Sequence, residues 1–314
     1  MTRNRKRIVK ITAFGSAVIM SLGVLLTVGV GATQAEIYES GDLCYENTMA
    51  RSGEATEYSL PAGASRTGVN VNGRRVLEGR VFVINGVTYV PMNRFADWLG
   101  VFTYSTNESG NMTVGRISGE KLEITAVENN LYISANGRYF YTVSRVMEIY
   151  GEMYVPIEPL VKALNCHISR DSQGAYSVRS GDTRLLKSAS QVYRDDEVYW
   201  LAKIISAEAR GESLQGKIAV GNVVLNRVRS KQFPNTIYGV IFDRKNGTQF
   251  TPVANGTIYQ AATAESIIAA KICLEGYSVS NSILYFLNPK YSSGAWVVNN
   301  REYVFTIGNH AFYN

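Results

Sequence analysis

The stretch Asp195-Asp-Glu-Val-Tyr-Trp-Leu-Ala-Lys-Ile-Ile-Ser-Ala-Glu-Ala-Arg-Gly211 has the pattern of one amphipathic helix. At about 100° per residue, Leu201, Ile204 and Ile205 share an apolar arc with Glu208. Glu208 is therefore predicted to project from the apolar face near the helix C-terminus. Desolvation and the negative end of the helix dipole both disfavour the ionised form of such a glutamate. A glutamate that stays protonated near neutral pH is what a general acid requires.

The ends and the polar side of this helix can also be predicted. Asp195 or Asp196 can cap its start, and Gly211 can end it. Lys203 and Ser206 are expected on the side opposite the apolar arc. A glutamate near a helix end is usually solvated or paired with an arginine. Its position alone therefore leaves two interpretations open, a catalytic acid and an ordinary paired carboxylate.

A second helix is predicted from Leu214 to Val228, and it is apolar on most of its circumference. Such a helix lies at the centre of a domain. Asn222 and Asn226 occupy its remaining face, so their amides are expected to bond to a neighbouring segment or to a ligand. A glutamate at the end of one helix, packed on a buried central helix, is the arrangement of lysozyme-like folds.

The last 120 residues contain a series of short motifs in a fixed order. They are Ser206-Ala-Glu-Ala-Arg-Gly-Glu212, Gly216–Val228, Phe233-Pro-Asn-Thr-Ile237, Gln249-Phe250, Leu284-Tyr-Phe-Leu-Asn-Pro289, Trp296 and Ile307-Gly-Asn-His-Ala-Phe312. Together they resemble one family, the SleB/CwlJ-type cell-wall hydrolases, or spore cortex-lytic enzymes. The resemblance implies an α-rich, lysozyme-like catalytic domain over residues 195–314 that cleaves peptidoglycan. It also implies that Glu208, the first glutamate of the Glu-Ala-Arg-Gly-Glu motif, is the catalytic acid.

Aromatic and amide side chains of the same region are candidate sugar contacts. Aromatic faces pack against the C–H faces of sugars, and amides bond hydroxyl or N-acetyl groups. Core packing is the alternative for each aromatic residue and for the histidine; Trp296, beside Gly294 and polar residues, is the one most expected to be exposed. Residues 247–250 and 252–256 are predicted as a short β segment with a turn, and Tyr285, Phe286 and Trp296 are expected in a loop or strand. The predicted substrate-binding residues are Gln249, Phe250, Tyr285, Asn288, Trp296 and His310.

The number of carboxylates decides the reaction. A glycoside hydrolase needs a second carboxylate, about 5–5.5 Å from the acid for retention or about 6.5–9.5 Å for inversion. Glu212 is expected to turn away and cap the next helix, and Asp243 falls in a polar loop. One glutamate is thus predicted to serve twice and to form a 1,6-anhydro sugar, the lytic transglycosylase outcome that the resemblance also implies. The alternatives are a hydrolytic muramidase or glucosaminidase with a second carboxylate, and a non-catalytic wall-binding protein.

The first half of the chain contains an internal repeat. Tyr89-Val-Pro91 recurs as Tyr154-Val-Pro156, and each copy is followed by apolar residues at helical spacing. The prolines are expected at the first helical position, and Asn165 in a left-handed conformation after the second helix. The Asn-Gly dipeptides at 72, 85 and 136 predict tight hairpins, with Val81–Ile84 pairing with Val87–Val90.

Residues 66–180 are therefore predicted as two hairpin–helix–hairpin copies, which makes the fold class α+β. This tandem resembles the N-terminal domain of copper amine oxidases as it occurs on exported bacterial proteins. It implies no copper chemistry, since His167 is the only histidine of the tandem. A wall-binding or spacing module and an inert spacer are both open. Residues 181–194 are polar and are predicted as a linker.

The first 35 residues carry five basic residues, no acidic residue and an apolar run that ends in Ala32-Thr-Gln-Ala35. This layout predicts a secretory signal at 1–35, with an uncleaved membrane anchor as the alternative. Without it, 27 basic and 26 acidic residues remain, which removes the support for nucleic-acid binding. We expect an extracytoplasmic monomer that acts on peptidoglycan in the cell wall or spore cortex. No metal, cofactor or disulfide framework is predicted, given three cysteines and two histidines.

Overall fold

The structure is a computed structural model that describes residues 59–99, 103–109, 112–119, 121–172, 174–180, 186–245, 247–291 and 295–314. The predicted signal at 1–35 and Cys44 lie outside these residues. In the part of the chain that is described, every helix is too short or too polar to cross a membrane. The described residues all belong to one compact unit.

The N-terminal half of this unit is rich in β structure. Its elements are β1 (Ser65–Val71), β2 (Arg74–Ile84), β3 (Val87–Pro91), α1 (Met92–Leu99), β4 (Thr103–Ser109), β5 (Met112–Gly119), β6 (Leu122–Val127), β7 (Tyr132–Ala135), β8 (Arg138–Tyr141), β9 (Met147–Ile149), β10 (Glu152–Pro156), α2 (Ile157–Ala163), β11 (His167–Arg170) and β12 (Tyr176–Arg179). A seven-stranded sheet has the order β11-β12-β1-β2-β3-β10-β9, and β4 to β8 form a five-stranded meander.

The two copies of the repeat are joined through their motifs. Strands β3 and β10 pair antiparallel, so that Val90 lies opposite Val155 and each motif tyrosine lies opposite the other motif's proline. Tyr89 and Tyr154 both pack on Phe82, with ring centroids 5.3 and 5.2 Å away. The repeat therefore forms one shared sheet and one shared aromatic core.

The predicted turns are confirmed. All three Asn-Gly dipeptides have positive φ at both residues, and Asn165 has φ +52°. The hairpin register is confirmed as well, since Phe82 pairs with Tyr89 and Ile84 with Val87. The position of the prolines was wrong. Pro91 and Pro156 are the last residues of their strands, and each helix begins one residue later.

The C-terminal half is rich in helices. Its elements are α3 (Ala189–Val192), α4 (Asp195–Ala209), α5 (Leu214–Arg229), α6 (Ile237–Ile241), α7 (Thr251–Asn255), a 3-10 turn (Thr257–Tyr259), α8 (Ala264–Leu274), β13 (Tyr285–Leu287), α9 (Ala295–Asn300), β14 (Tyr303–Ile307) and β15 (His310–Tyr313). The strands form a small sheet in the order β13-β15-β14. The predicted α+β class, with a β-rich half followed by an α-rich half, is confirmed.

Helix α5 is the predicted central helix, buried almost without interruption from Leu214 to Arg227. Helices α4 and α8 pack against it at Gly221, where an added Cβ would lie 2.7 Å from Cys273 Sγ and 2.9 Å from Ile205 Cδ1. The amide of Asn222 bonds the backbone of the segment after α8, at the Tyr277 carbonyl (3.0 Å) and the Val279 N–H (2.9 Å). Of the two predicted partners for this amide, the structure shows the neighbouring segment.

Several details of α4 and its surroundings differ from prediction. The N-cap of α4 is Arg194, while Asp195 and Asp196 already lie inside the first turn. Lys203 is buried, because its ammonium donates to the carbonyls of Tyr259 (3.0 Å) and Gln260 (2.6 Å). Ser206 is buried too, and its hydroxyl accepts from the Thr263 N–H at 3.2 Å. The segment 259–263 covers this side of the helix, opposite the predicted apolar arc.

Two local predictions beyond α4 were wrong. Residues 251–255 form helix α7, where a β segment was predicted, since Pro252 fits the first turn of a helix and Gly256 ends it with φ +80°. Trp296 lies on helix α9 rather than in a loop or strand. Its predicted exposure is confirmed at 57%.

The two halves pack against each other. The Arg138 guanidinium on β8 donates to both carboxylate oxygens of Glu275, just after α8, at 2.7 Å each. Tyr141 contacts Tyr277, with ring centroids 4.5 Å apart. In the predicted linker, Leu186 is buried in the core of the N-terminal half and residues 189–192 form α3. Leu186 and Tyr193 of this segment are thus buried, while most of its other described residues are exposed. The domain boundaries 66–180 and 195–314 stay predictions.

Candidate active site

Glu208 lies in the last turn of α4, and its side chain is only partly exposed. Burial raises the pKa of its carboxyl group from 4.5 to about 7. Among the described residues, none hydrogen-bonds or ion-pairs with this carboxylate. Arg210 instead donates to the Ala261 carbonyl at 3.0 Å, and Arg227 to the Leu284 carbonyl at 2.7 Å. A carboxyl group in this state holds a proton near neutral pH and can donate it.

Both candidates for a second carboxylate have other partners. Glu212 turns toward the tip of the β14–β15 hairpin, where it accepts from the Asn309 side-chain amide (2.8 Å) and backbone N–H (3.3 Å). The predicted capping of α5 by Glu212 was wrong, since Ser213 is the N-cap and accepts from the Gly216 N–H. Asp243 accepts from the Lys245 N–H at 2.9 Å. Burial alone accounts for the raised pKa of Glu208, with no contribution from a neighbouring carboxylate.

Arg227, at the end of α5, organises the nearby aromatic residues. Arg227, 5% exposed at the end of α5, has its guanidinium carbon 4.9–5.2 Å from the ring centroids of Phe233, Phe250 and Tyr285. Burial lowers its pKa to about 10. The only signal in the sequence was a cation at the end of a helix predicted to be buried.

Four of the six predicted sugar contacts belong to this aromatic cluster. Phe250 is buried and packs on Phe286 at 6.4 Å. Tyr285 lies 5.9 Å from Trp296. His310 is buried with its ring edge-on to Phe286 at 5.2 Å, and burial lowers its pKa. Core packing was the alternative role for each of these residues. Phe250 and His310 are packed in this way, whereas Trp296 is exposed.

The other two predicted sugar contacts make only local bonds. The Gln249 amide donates to the Gly247 carbonyl at 3.2 Å, and the Asn288 oxygen accepts from the Lys290 N–H at 3.0 Å. No hydrogen bond of the described residues joins either amide to the aromatic cluster. Within the same residues, no three His, Cys, Asp or Glu side chains gather as a metal site would require.

Comparisons with known proteins agree with the arrangement of the two halves. Residues 211–313 match the Cell Wall Hydrolase family, and residues 70–178 match the copper amine oxidase N-terminal domain. The cell wall hydrolase CwlJ of Oceanobacillus iheyensis is 32% identical over 117 residues, which are 34% of this chain and 82% of that protein. This chain belongs to the cell wall hydrolase family. The family match begins three residues after Glu208, so the assignment of the acid depends on the local geometry.

Two further known proteins are similar to part of this chain. The spore cortex-lytic enzyme of Bacillus cereus is 35% identical over 120 residues, 38% of this chain and 45% of that protein. This chain thus spans about half the length of the spore cortex-lytic enzymes that it matches. The solved catalytic domain of the germination-specific lytic transglycosylase SleB from Bacillus anthracis is 35% identical, with a TM-score of 0.36, over 39% of this chain and 97% of that domain.

Proposed function

We propose that this chain cleaves the glycan strands of peptidoglycan, in the cell wall or spore cortex outside the cytoplasmic membrane, with Glu208 as its only acid–base group. The observation that carries the proposal is the single carboxyl group at the end of α4, whose pKa burial raises to about 7. Membership of the cell wall hydrolase family supports the substrate class. The packing of α4 on the buried helix α5 supports the position of the acid.

In the proposed reaction, protonated Glu208 donates its proton to the bridging oxygen that follows N-acetylmuramic acid. The bond from C1 to that oxygen breaks as the proton arrives. The Glu208 carboxylate then accepts the proton of the C6 hydroxyl of the same sugar, whose oxygen bonds to C1. The products are a 1,6-anhydro sugar and a new free hydroxyl, and Glu208 ends protonated as it began. No water is consumed.

The surroundings of Glu208 favour this route over hydrolysis. A hydrolase would need a carboxylate that activates water or attacks C1 at a defined distance from the acid. Glu212 is bonded to the β14–β15 hairpin, and Asp243 is bonded within its own loop. The acid is therefore the group best placed to return as the base.

The substitution Glu208→Gln tests the assignment in the full chain. The amide keeps the shape of the side chain but cannot donate a proton, so cleavage of purified wall suspensions should fall by about 10²–10⁴-fold. Glu123→Gln, at an exposed carboxylate on β6, is the matched control and should cleave like the unsubstituted chain. Clearing of wall suspensions at the normal rate by folded Glu208→Gln protein would refute the role of this residue.

Mass analysis of the products separates the two reaction types. The transglycosylase route leaves 1,6-anhydromuramic ends, each lighter by one water than a hydrolytic end. Reducing muramic acid ends would overturn the one-carboxylate mechanism while leaving glycan cleavage intact. Glu212→Gln would then be the variant that identifies the second carboxylate. Absence of any cleavage by the unsubstituted chain would favour the non-catalytic wall-binding alternative.

A further inference from the structure

A second group of aromatic side chains surrounds Trp200 on α4 and takes no part in the cluster around Arg227. We call it the Trp200 surface, and it consists of Tyr199, Trp200, Tyr238, Phe242 and Tyr259. Each of the other four ring centroids lies 5.0–6.4 Å from that of Trp200. The three tyrosines are 50%, 54% and 64% exposed. A contiguous patch of exposed rings marks a binding surface, since isolated exposed rings are the rule elsewhere.

A small cavity opens beside this surface. Its volume is about 180 Å³, and it is lined by the aromatic residues Trp200 and Tyr238 together with Arg194, Asp196, Glu197, Thr236 and Ile237. The cavity is well below the usual size of a pocket for a drug-sized ligand, about 300–1,000 Å³. It combines two aromatic rings, at 70° to each other, with several charged and hydroxyl groups within the space of one ring-sized ligand.

Some polar groups that line the cavity can still form hydrogen bonds with a ligand. Arg194 and Asp196 form a two-bond ion pair at 2.8 and 3.1 Å, which holds both side chains in place. The Glu197 side chain is only partly exposed, and among the described residues none hydrogen-bonds or ion-pairs with its carboxylate. The Glu197 carboxylate is therefore free to accept hydrogen bonds from a ligand in place of those from water.

We propose that the Trp200 surface binds one sugar unit of a glycan strand. The C–H face of the sugar packs on the exposed ring of Tyr238, and its edge contacts Trp200, whose ring plane is inclined at 70° to that of Tyr238. The hydroxyl groups of the sugar donate to the Glu197 carboxylate and bond the Arg194–Asp196 pair. This inference deepens the proposed function, since the strand it binds is the substrate class of Glu208. Aromatic rings beside carboxylates suit a ligand with one apolar face and an edge of hydroxyls.

The position of the surface gives it a defined relation to the cleavage site. Trp200 and Glu208 stand eight residues apart on the same helix, which is about 12 Å along the axis at 1.5 Å per residue. They lie about 80° apart around it at 100° per residue. One rigid helix therefore sets both sites, so a sugar at Trp200 belongs to a part of the strand that is not being cleaved.

A protein partner fits this surface less well. The charged residues Arg194, Asp196 and Glu197 border the cavity directly, whereas the buried centre of a protein interface is depleted of charge. The ion pair between the first two is 72% and 56% exposed, so water reaches these polar groups freely. Hydroxyl groups of a sugar can replace that water bond for bond.

The experiment measures binding separately from cleavage. The full chain with Glu208→Gln is titrated with the N-acetylglucosamine pentasaccharide by calorimetry. Adding Trp200→Ala, Tyr238→Ala or Glu197→Ala should weaken binding at least about fivefold, whereas Trp200→Phe should retain most of it. Trp98→Ala, at a tryptophan on α1 that is 42% exposed, is the matched control and should leave the affinity unchanged.

Several results would overturn the inference. Unchanged affinity in folded Trp200→Ala is one. If that variant does not fold, unchanged affinity in both Tyr238→Ala and Glu197→Ala is equally decisive. A concentration-dependent dimer that dissociates on Trp200→Ala would assign the surface to a second copy of the chain. Cleavage by the Glu208→Gln chain, with loss of binding in the Trp200 variants, would refute the proposed mechanism and leave the sugar site standing.

Discussion

Glu208 illustrates how a single residue acquires a new property from its surroundings. Its pKa is about 7 in the folded chain and 4.5 in its usual environment. Below pH 4.5 the group is neutral in both the folded and unfolded states. Between these two values the unfolded chain ionises the group and the folded chain does not. Folding stability is therefore lost as the pH rises through this window, and the loss is complete above about pH 7.

The stability of Glu208→Gln should follow that window. At pH 8 the variant should be more stable than the unsubstituted chain by about 1–3 kcal/mol, since the amide has no proton to lose. At pH 4 the two should unfold alike. Urea unfolding at both pH values measures the difference. Glu123→Gln should show no such pH-dependent gain, and an equal effect of Glu208→Gln at both pH values would contradict the burial argument.

The same pKa predicts the pH dependence of cleavage. The reaction begins with protonated Glu208, so kcat/KM for soluble glycan strands should fall about tenfold per pH unit above about pH 7. Initial rates from pH 5 to 9 measure the profile. A rate that stays level up to pH 9 would mean that another group supplies the proton.

Helices α4, α5 and α8 position the acid by close packing at one point. Gly221 of α5 leaves no room for a Cβ, because Cys273 and Ile205 from the other two helices fill the space. The buried helix reads in the sequence as an apolar stripe, but the close contact does not. The packing of α5 against α4 and α8 thus depends on the absence of a side chain at Gly221.

Gly221→Ala should lower the free energy of unfolding by about 1–2 kcal/mol. Overpacking opposes the gain in helix propensity and exceeds it. Gly211→Ala is the matched control, because an added Cβ there meets nothing within 4 Å. Chemical denaturation of both variants measures the difference. A Gly221→Ala chain as stable as Gly211→Ala would show that the three helices can move apart at no cost.

At the scale of the whole molecule, an ion pair joins the two halves. Arg138 and Glu275 are separated by 137 residues, and their side chains are 17% and 8% exposed. Tyr193, from the segment between the halves, donates its hydroxyl to the same carboxylate. This three-residue contact links the N-terminal half to the end of α8, and α8 in turn packs on α4.

Arg138→Gln should lower the free energy of unfolding by about 2–4 kcal/mol, because it leaves the Glu275 carboxylate buried without its cation. The double variant Arg138→Gln/Glu275→Gln should recover much of the loss. Arg194→Gln breaks the exposed pair with Asp196 and should change stability by less than about 1 kcal/mol. Thermal and urea unfolding of the full chain measure all three. An Arg138→Gln chain as stable as Arg194→Gln would show that the halves are energetically independent.

Part of the candidate site could be predicted from local sequence, and the rest depends on contacts between distant segments. The apolar arc around Glu208 could be predicted, because helical periodicity is local. The roles of Lys203 and Ser206 could not, because the segment 259–263 that buries them lies more than fifty residues away. The cluster of Phe233, Phe250 and Tyr285 around Arg227 could not be predicted either, because these residues come from distant segments. The Trp200 surface likewise unites α4, α6 and the 3-10 turn, which no single stretch of sequence contains.

The sequence by itself determined the order of a β-rich and an α-rich half, the Asn-Gly turns, the long helices α4 and α5, and the glutamate on the apolar face of α4. These features depend on φ preferences and on side-chain spacing within a few residues of the chain. Tertiary structure alone decided that the two Tyr-Val-Pro motifs pair with each other, that Glu212 turns to the β14–β15 hairpin, and that Arg138 meets Glu275. These contacts join distant segments, and burial of apolar surface selects them only when the whole chain is packed.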